Sequence, residues 1–196
     1  MPLLKNDHYT SEDYWNLPEE ERAELINGKF YDMAPPSRIH QKLVFSISRI
    51  IGNYIADHHG SCQVYPAPFA VNLDADDKDW VEPDVSVICD PNKLTDRGCS
   101  GAPDLIFEIV SPASRKMDYS LKNMIYSQAG VREYWIIDPD QRLVLVYDFS
   151  AAIYPVIYGF DAKIPVAIWD GDCVIDFQEV YDYIHFLYEK DPNPPQ

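Results

Sequence analysis

Residues 102–112 read Ala102-Pro103-Asp104-Leu105-Ile106-Phe107-Glu108-Ile109-Val110-Ser111-Pro112. Between the two prolines, every position from Leu105 to Val110 except Glu108 is apolar. A strand with apolar side chains on both of its faces is covered on both, as central strands are. Pro83-Asp84-Val85-Ser86-Val87-Ile88 reads the same way. Side chains alternate along a strand, so Asp84, Ser86 and Ile88 share one face. Ile106, Glu108 and Val110 share a face of the other strand. An ionised carboxylate inside such a run is costly unless it is paired with Arg or Lys, protonated or metal-bound. If the two strands are neighbours, Asp84 and Glu108 converge on one point, a donor set that suits a hard divalent cation. Alone, Asp84 reads first as a cap at a strand start after Pro83.

Around this pair the rest of the chain falls into helices and strands. Thr10 with Asp13 three residues on predicts a short helix that ends before Pro18. Asn27-Gly28 between two apolar-alternating runs predicts a hairpin with strands at 22–26 and 29–33. Residues 37–58 carry apolar groups at helical spacing on one face, with Ser37 as N-cap and Gly60 as the stop. Strands are expected at 62–66 and 68–73, followed by an acidic loop over Asp74–Glu82. A helix is expected over 118–130 with Gly130 at its end, then strands at 133–138 and 143–147. Further short strands follow residue 150, with a helix over about 176–189. This order predicts an α/β (α+β) fold: a mixed central β-sheet flanked by helices. The expected unit is one domain over residues 1–190, with 191–196 as a frayed tail.

On the helix after Glu108, Asp118, Lys122 and Tyr126 stand at i, i+4 and i+8 and form one polar stripe. It is either a surface Asp118–Lys122 ion pair or a stripe turned toward the carboxylates. In the second case Lys122 stabilises phosphoryl charge or positions the attacking water. Glu24, flanked by Ala23 and Leu25, reads as a third acid or a solvated strand residue. His40, alone near the start of the long helix, reads first as a capping or surface residue.

The formal net charge is −16, which opposes loose binding of polyanions. The cations are not spread evenly. Residues 33–56 hold Arg38, Lys42 and Arg49 and no acid, and residues 111–133 hold Arg115, Lys116, Lys122 and Arg132 against Asp118 and Glu133. None of the four cysteines forms a CxxC pair, which argues against zinc. Cys62 and Cys89 lie in apolar runs and read as reduced, buried small hydrophobes. No GxSxG, P-loop, HExxH or GxGxxG signature occurs, so serine-hydrolase, NTPase, zincin and dinucleotide readings lack their motifs. The N-terminal stretch has no apolar signal core and no run long enough to span a bilayer, so a cytoplasmic protein with no membrane partner is expected.

Pro83-Asp84 with Glu108-Ile109-Val110 resembles the PD-(D/E)XK arrangement, except that Val110 stands where its lysine would be. Lys122, on the next helix, is placed to supply it. A longer series is similar to the Uma2 (DUF820) family over about residues 20–140. It comprises Glu24-Leu25-Ile26-Asn27-Gly28, His40, Glu82-Pro83-Asp84-Val85, residues 102–112, then Asp118, Lys122, Tyr126 and Gly130 to Pro139. The resemblance implies a restriction-endonuclease-like core, a Mg²⁺-dependent (or Mn²⁺-dependent) DNA endonuclease, a homodimer and a cyanobacterial setting. It further implies Asp84 and Glu108 as metal ligands with the Ile109 carbonyl as another, Lys122 at the scissile phosphate, and Glu24 and His40 in support. Two rival expectations keep the same fold. One is a catalytically inactive protein-interaction module, which the acidity favours; the other is a Mg²⁺-dependent phosphohydrolase on another substrate.

Overall fold

The computed structural model describes residues 8–75, 77–152 and 154–189. The chain begins with helix α1 (Ser11–Trp15), strands β1 (Ala23–Ile26) and β2 (Lys29–Asp32), and the long helix α2 (Arg38–His58). Strands β3 (Gln63–Pro66), β4 (Val71–Asn72), β5 (Trp80–Val81), β6 (Val85–Ile88), β7 (Leu94–Thr95), β8 (Gly98–Ser100) and β9 (Leu105–Ile109) follow. A π-helical turn, Met117–Lys122, runs into α3 (Asn123–Ala129). Then come β10 (Glu133–Asp138), β11 (Leu143–Asp148), β12 (Val156–Gly159), β13 (Lys163–Pro165), β14 (Val174–Asp176) and α4 (Phe177–Ile184).

The main sheet has the order β12-β11-β10-β9-β6-β3. Its β9–β10 pair is parallel and its other pairs are antiparallel, so the sheet is mixed, as expected. Both acid-bearing strands are buried along their whole length, β9 in the middle and β6 beside it. One face, with Val85, Val87, Leu105, Phe107 and Trp135, packs on α2, α4 and the β13–β14 hairpin. The other, with Ile106, Val110, Tyr134 and Ile136, packs on α3 and a second sheet. That second sheet, β2-β1-β5-β4-β8-β7, was not foreseen. Four of its six strands are only two or three residues long, too short to show a period. Trp80 and Val81 of the expected acidic loop form one of them, and Asp79 accepts the backbone N–H of Asn27 at 2.6 Å.

The local signals act where they stand. Thr10 and Asp13 close a capping box on α1, and the Ser37 hydroxyl accepts the His40 N–H at 3.2 Å. Helix α2 ends at His58, as expected, but the residue that closes it in the left-handed conformation is His59, at φ +50°, and not Gly60. Gly130 ends α3 in the left-handed conformation, at φ +92°. The C-terminal helix is shorter than expected. Asp176 caps it through the N–H groups of Gln178 and Glu179, and a 3₁₀ turn over His185–Leu187 replaces its last turns.

One expectation is corrected. Cys62 and Cys89 are joined in a disulfide, not reduced. The β3–β6 register pairs Gln63 with Ile88, so the next step sets the two cysteines face to face. Cys99 and Cys173 are free and buried. Among the described residues no helix is long and apolar enough to cross a membrane. The expected tail at 191–196 lies outside them.

Candidate active site

Strands β6 and β9 are antiparallel neighbours with Val85 opposite Phe107. One step further on, Asp84 stands opposite Glu108. Both side chains leave the same face of the sheet, toward α3 and the second sheet. Asp84 is fixed from two directions: the Ile109 N–H donates to its Oδ2 at 2.7 Å, and His40 Nε2 lies 3.0 Å from its Oδ1. His40 is therefore no surface residue. It sits in the first turn of α2 and steadies the first acid, while its Nδ1 is buried without a hydrogen bond among the described residues.

Lys122 is almost wholly buried, and its ammonium lies among acids from three elements. Nζ donates to Glu108 Oε1 and Glu24 Oε1, each at 2.9 Å, and lies 4.0 Å from Asp118 Oδ1. The exposed Asp118–Lys122 pair considered above is thereby excluded, since both residues are buried. Tyr126 donates its hydroxyl to Glu108 Oε1 at 2.6 Å. The π-helical turn and the first turn of α3 thus present Asp118, Lys122 and Tyr126 to the strand acid. Turns of this type are frequent where helices carry function. Glu24 is also buried, and its Oε1 accepts the Glu82 N–H at 3.0 Å. The Glu82 carboxylate is itself held by Tyr14 at 3.1 Å and Arg22 at 2.5 Å.

The sequence reading brought five residues to this place, Asp84, Glu108, Lys122, Glu24 and His40, and the structure gathers all five. It adds Asp118 and Tyr126 as direct members. Their spacing was visible, but nothing in the spacing says that the stripe faces inward.

The charge balance of the cluster is uneven. Glu24, Asp84, Glu108 and Asp118 supply four carboxylates, and Lys122 one ammonium. Burial pushes Glu108 well above the ordinary carboxylate range; Lys122 pulls it back, and Asp84, Asp118 and Glu24 push it further up. Burial likewise raises Asp118 to about 6, against the pull of Lys122. For Lys122, burial alone would favour the neutral amine, but Glu108, Glu24 and Asp118 more than reverse this and keep it cationic. The cluster is therefore short of positive charge. The buried Asp118 Oδ1 has no hydrogen bond among the described residues, and both side-chain hydrogen bonds to Glu108 fall on Oε1. An all-oxygen donor set with an unsatisfied acceptor and excess negative charge fits a hard divalent cation. No three His, Cys, Asp or Glu side chains among the described residues converge into a ready-made metal cage. Mg²⁺ needs fewer, because waters and substrate oxygens complete its shell.

A mixed sheet that sets an aspartate at a strand start against a glutamate on the next strand, with a lysine brought in from a helix, has the architecture of a restriction-endonuclease-like fold. The chain belongs to the Uma2 family, described as "Putative restriction endonuclease", whose profile matches residues 11–157. Two relatives come from Synechocystis sp. (strain ATCC 27184 / PCC 6803 / Kazusa). "Uncharacterized protein slr1290" is 25% identical over 127 residues, covering 65% of this chain and 64% of the relative. "Uncharacterized protein sll1609" is 28% identical over 134 residues, 66% of this chain and 74% of the relative. The chain thus spans a little under two thirds of the first relative's length. Among solved structures, a "putative nuclease belonging to DUF820" from Anabaena variabilis ATCC 29413 superposes with a TM-score of 0.72 at 21% identity. That match covers 89% of this chain and 98% of the other. The likeness is one of fold.

Proposed function

We propose that this chain is a Mg²⁺-dependent DNA endonuclease that hydrolyses phosphodiester bonds at the Asp84–Glu108–Lys122 cluster. One observation carries the reading: two acids opposite each other on adjacent buried strands, with an ammonium 2.9 Å from the second. Asp84 and Glu108 would hold the cation, with the Ile109 carbonyl as a further ligand. Bound there, Mg²⁺ supplies Lewis-acid stabilisation of the charge that develops on the phosphate and lowers the pKa of water.

The chain's own residues divide the remaining work. Lys122 stays protonated among its acids, so it acts as a donor and not as the base. An ammonium has three N–H groups, of which Glu24 and Glu108 take two. The third is available to orient the attacking water or to meet a phosphate oxygen. Tyr126 fixes Glu108 Oε1 and leaves Oε2 for the cation. His40 and the Ile109 N–H hold Asp84 in place. Glu24 positions Lys122 from the second sheet.

The test is cleavage of supercoiled, linear, single-stranded and branched DNA in Mg²⁺ or Mn²⁺, beside EDTA and Glu108→Ala controls. Metal-dependent cutting that disappears in Glu108→Ala is the expected result. A folded protein that binds metal and cuts none of these substrates would overturn the reading in favour of the interaction module or a non-DNA phosphodiester.

A further inference from the structure

The net charge of −16 leaves a nuclease reading with a physical difficulty, since a polyanion must find a surface it is not repelled from. Helix α2 provides one. Arg38, Lys42, Phe45 and Arg49 fall at i, i+4, i+7 and i+11, a single stripe along its outer face. Residues 33–56 contain no acid to neutralise it. None of the three cations forms an ion pair with a carboxylate among the described residues, whereas Arg22, Arg115, Lys122, Arg132 and Lys163 all do.

Aromatic side chains from the C-terminal segment sit against two of the cations. The Arg38 guanidinium lies 5.3 Å from the centre of the Phe186 ring. Lys42 lies 4.7 Å from the centre of the Tyr183 ring and donates to its hydroxyl at 2.9 Å. Lys42 holds that hydroxyl below its ordinary range, and the field of Arg49 adds to the effect, so the third cation belongs to the same patch. Phe45, Tyr183 and Phe186 are 55%, 46% and 43% exposed, large apolar surfaces left to solvent. Of the acids of α4, Glu179 acts on Lys163, and Asp182 accepts from the Gln178 side chain at 2.8 Å; neither forms an ion pair with Arg38, Lys42 or Arg49 among the described residues.

We infer that this α2–α4 surface, with Arg38, Lys42 and Arg49 as its cations and Tyr183 and Phe186 against two of them, is where the protein holds the sugar-phosphate backbone of DNA. The inference rests on the nuclease reading for its choice of polyanion. At 1.5 Å per residue the stripe from Arg38 to Arg49 is about 16 Å long. That equals the axial rise of about five base pairs at 3.4 Å each. Cations resting on exposed rings keep their charge, which a carboxylate partner would cancel. The stripe faces away from Asp84, although His40 on the same helix reaches it.

The test is fluorescence anisotropy of a labelled short duplex, titrated with full-length protein in EDTA over a range of salt. It compares wild type, Arg38→Ala/Lys42→Ala/Arg49→Ala and, as a matched surface cation, Lys29→Ala. Loss of three phosphate contacts should flatten the slope of log affinity against log salt by about 2.7, and weaken binding on the order of 100-fold at 0.1 M salt. Lys29→Ala should follow wild type. A triple variant that folds and binds with the wild-type slope overturns the surface while leaving the nuclease reading intact. So does a wild type that takes up poly-L-glutamate in preference to the duplex, which would make an acidic protein the partner. A wild type that binds with the expected slope but never cuts keeps the surface and removes the nuclease.

Discussion

Lys122→Met keeps the length of the buried stem and removes only the charge. Among the described residues the ammonium is the one cation paired with Glu24, Glu108 and Asp118, with Glu24 and Glu108 each 2.9 Å away. Removing one partner of a buried ion pair leaves uncompensated charge and costs about 3–5 kcal/mol. For a domain of this size each kcal/mol moves the melting temperature by about 2–4 °C. The expected loss is therefore about 6–20 °C, read by circular dichroism at pH 7. Glu24→Gln in the same chain should return part of it, because one fewer carboxylate then lacks a counter-charge. A Lys122→Met protein that melts within about 2 °C of wild type would refute the argument. It would mean that the acids are already neutral, or that water reaches them freely.

Three further perturbations test other parts of the structure. At Gly98, φ is +139° and a Cβ would collide with the Ala70 carbonyl oxygen. Gly98→Ala should cost about 3 kcal/mol or more, and an unchanged urea midpoint would refute this. The Cys62–Cys89 bond closes 27 residues of chain, which the loop-entropy relation values at about 3.5 kcal/mol. Dithiothreitol should thus lower the melting temperature by about 7–14 °C, and no shift would deny the bond a stabilising part. Burial raises the thiols of Cys99 and Cys173 to about 11, so at pH 8 only about one in a thousand is the reactive thiolate. Iodoacetamide should leave both unlabelled until urea is added, and rapid labelling of the native protein would contradict their burial.

What the sequence made legible follows from where it concentrates its signals. The runs around Glu108 and Asp84 are apolar on both faces, and a carboxylate stands out against that background. Helix α2 is long enough for its period to be unmistakable. Asn27-Gly28 fixes its hairpin by local chemistry alone, with both residues at positive φ. The residues that could not be placed depend on contacts distant in sequence. Glu24 looked the same as a solvated strand residue, because the sheet that buries it is completed by two-residue strands. The direction of the Asp118–Tyr126 stripe is set by tertiary packing, not by its own spacing. His40 could be read as a surface residue because its partner Asp84 is 44 positions away. The disulfide required a register, which composition does not carry.

The π-helical turn over Met117–Lys122 has a consequence for how relatives of this protein are found. An ammonium reaches the strand carboxylate from a different element and lands 2.9 Å from it. Under the proposed hydrolysis, selection sees that distance and not the order of letters along the chain. A genome search keyed to an acid, one intervening residue and a lysine passes over this chain, because Val110 fills the last position. A three-dimensional template would retrieve it: two opposed strand acids, a nearby amine nitrogen, and no condition on which element the amine comes from. The same template would admit a lysine from another loop, and so count lineages that have moved the donor while keeping the place.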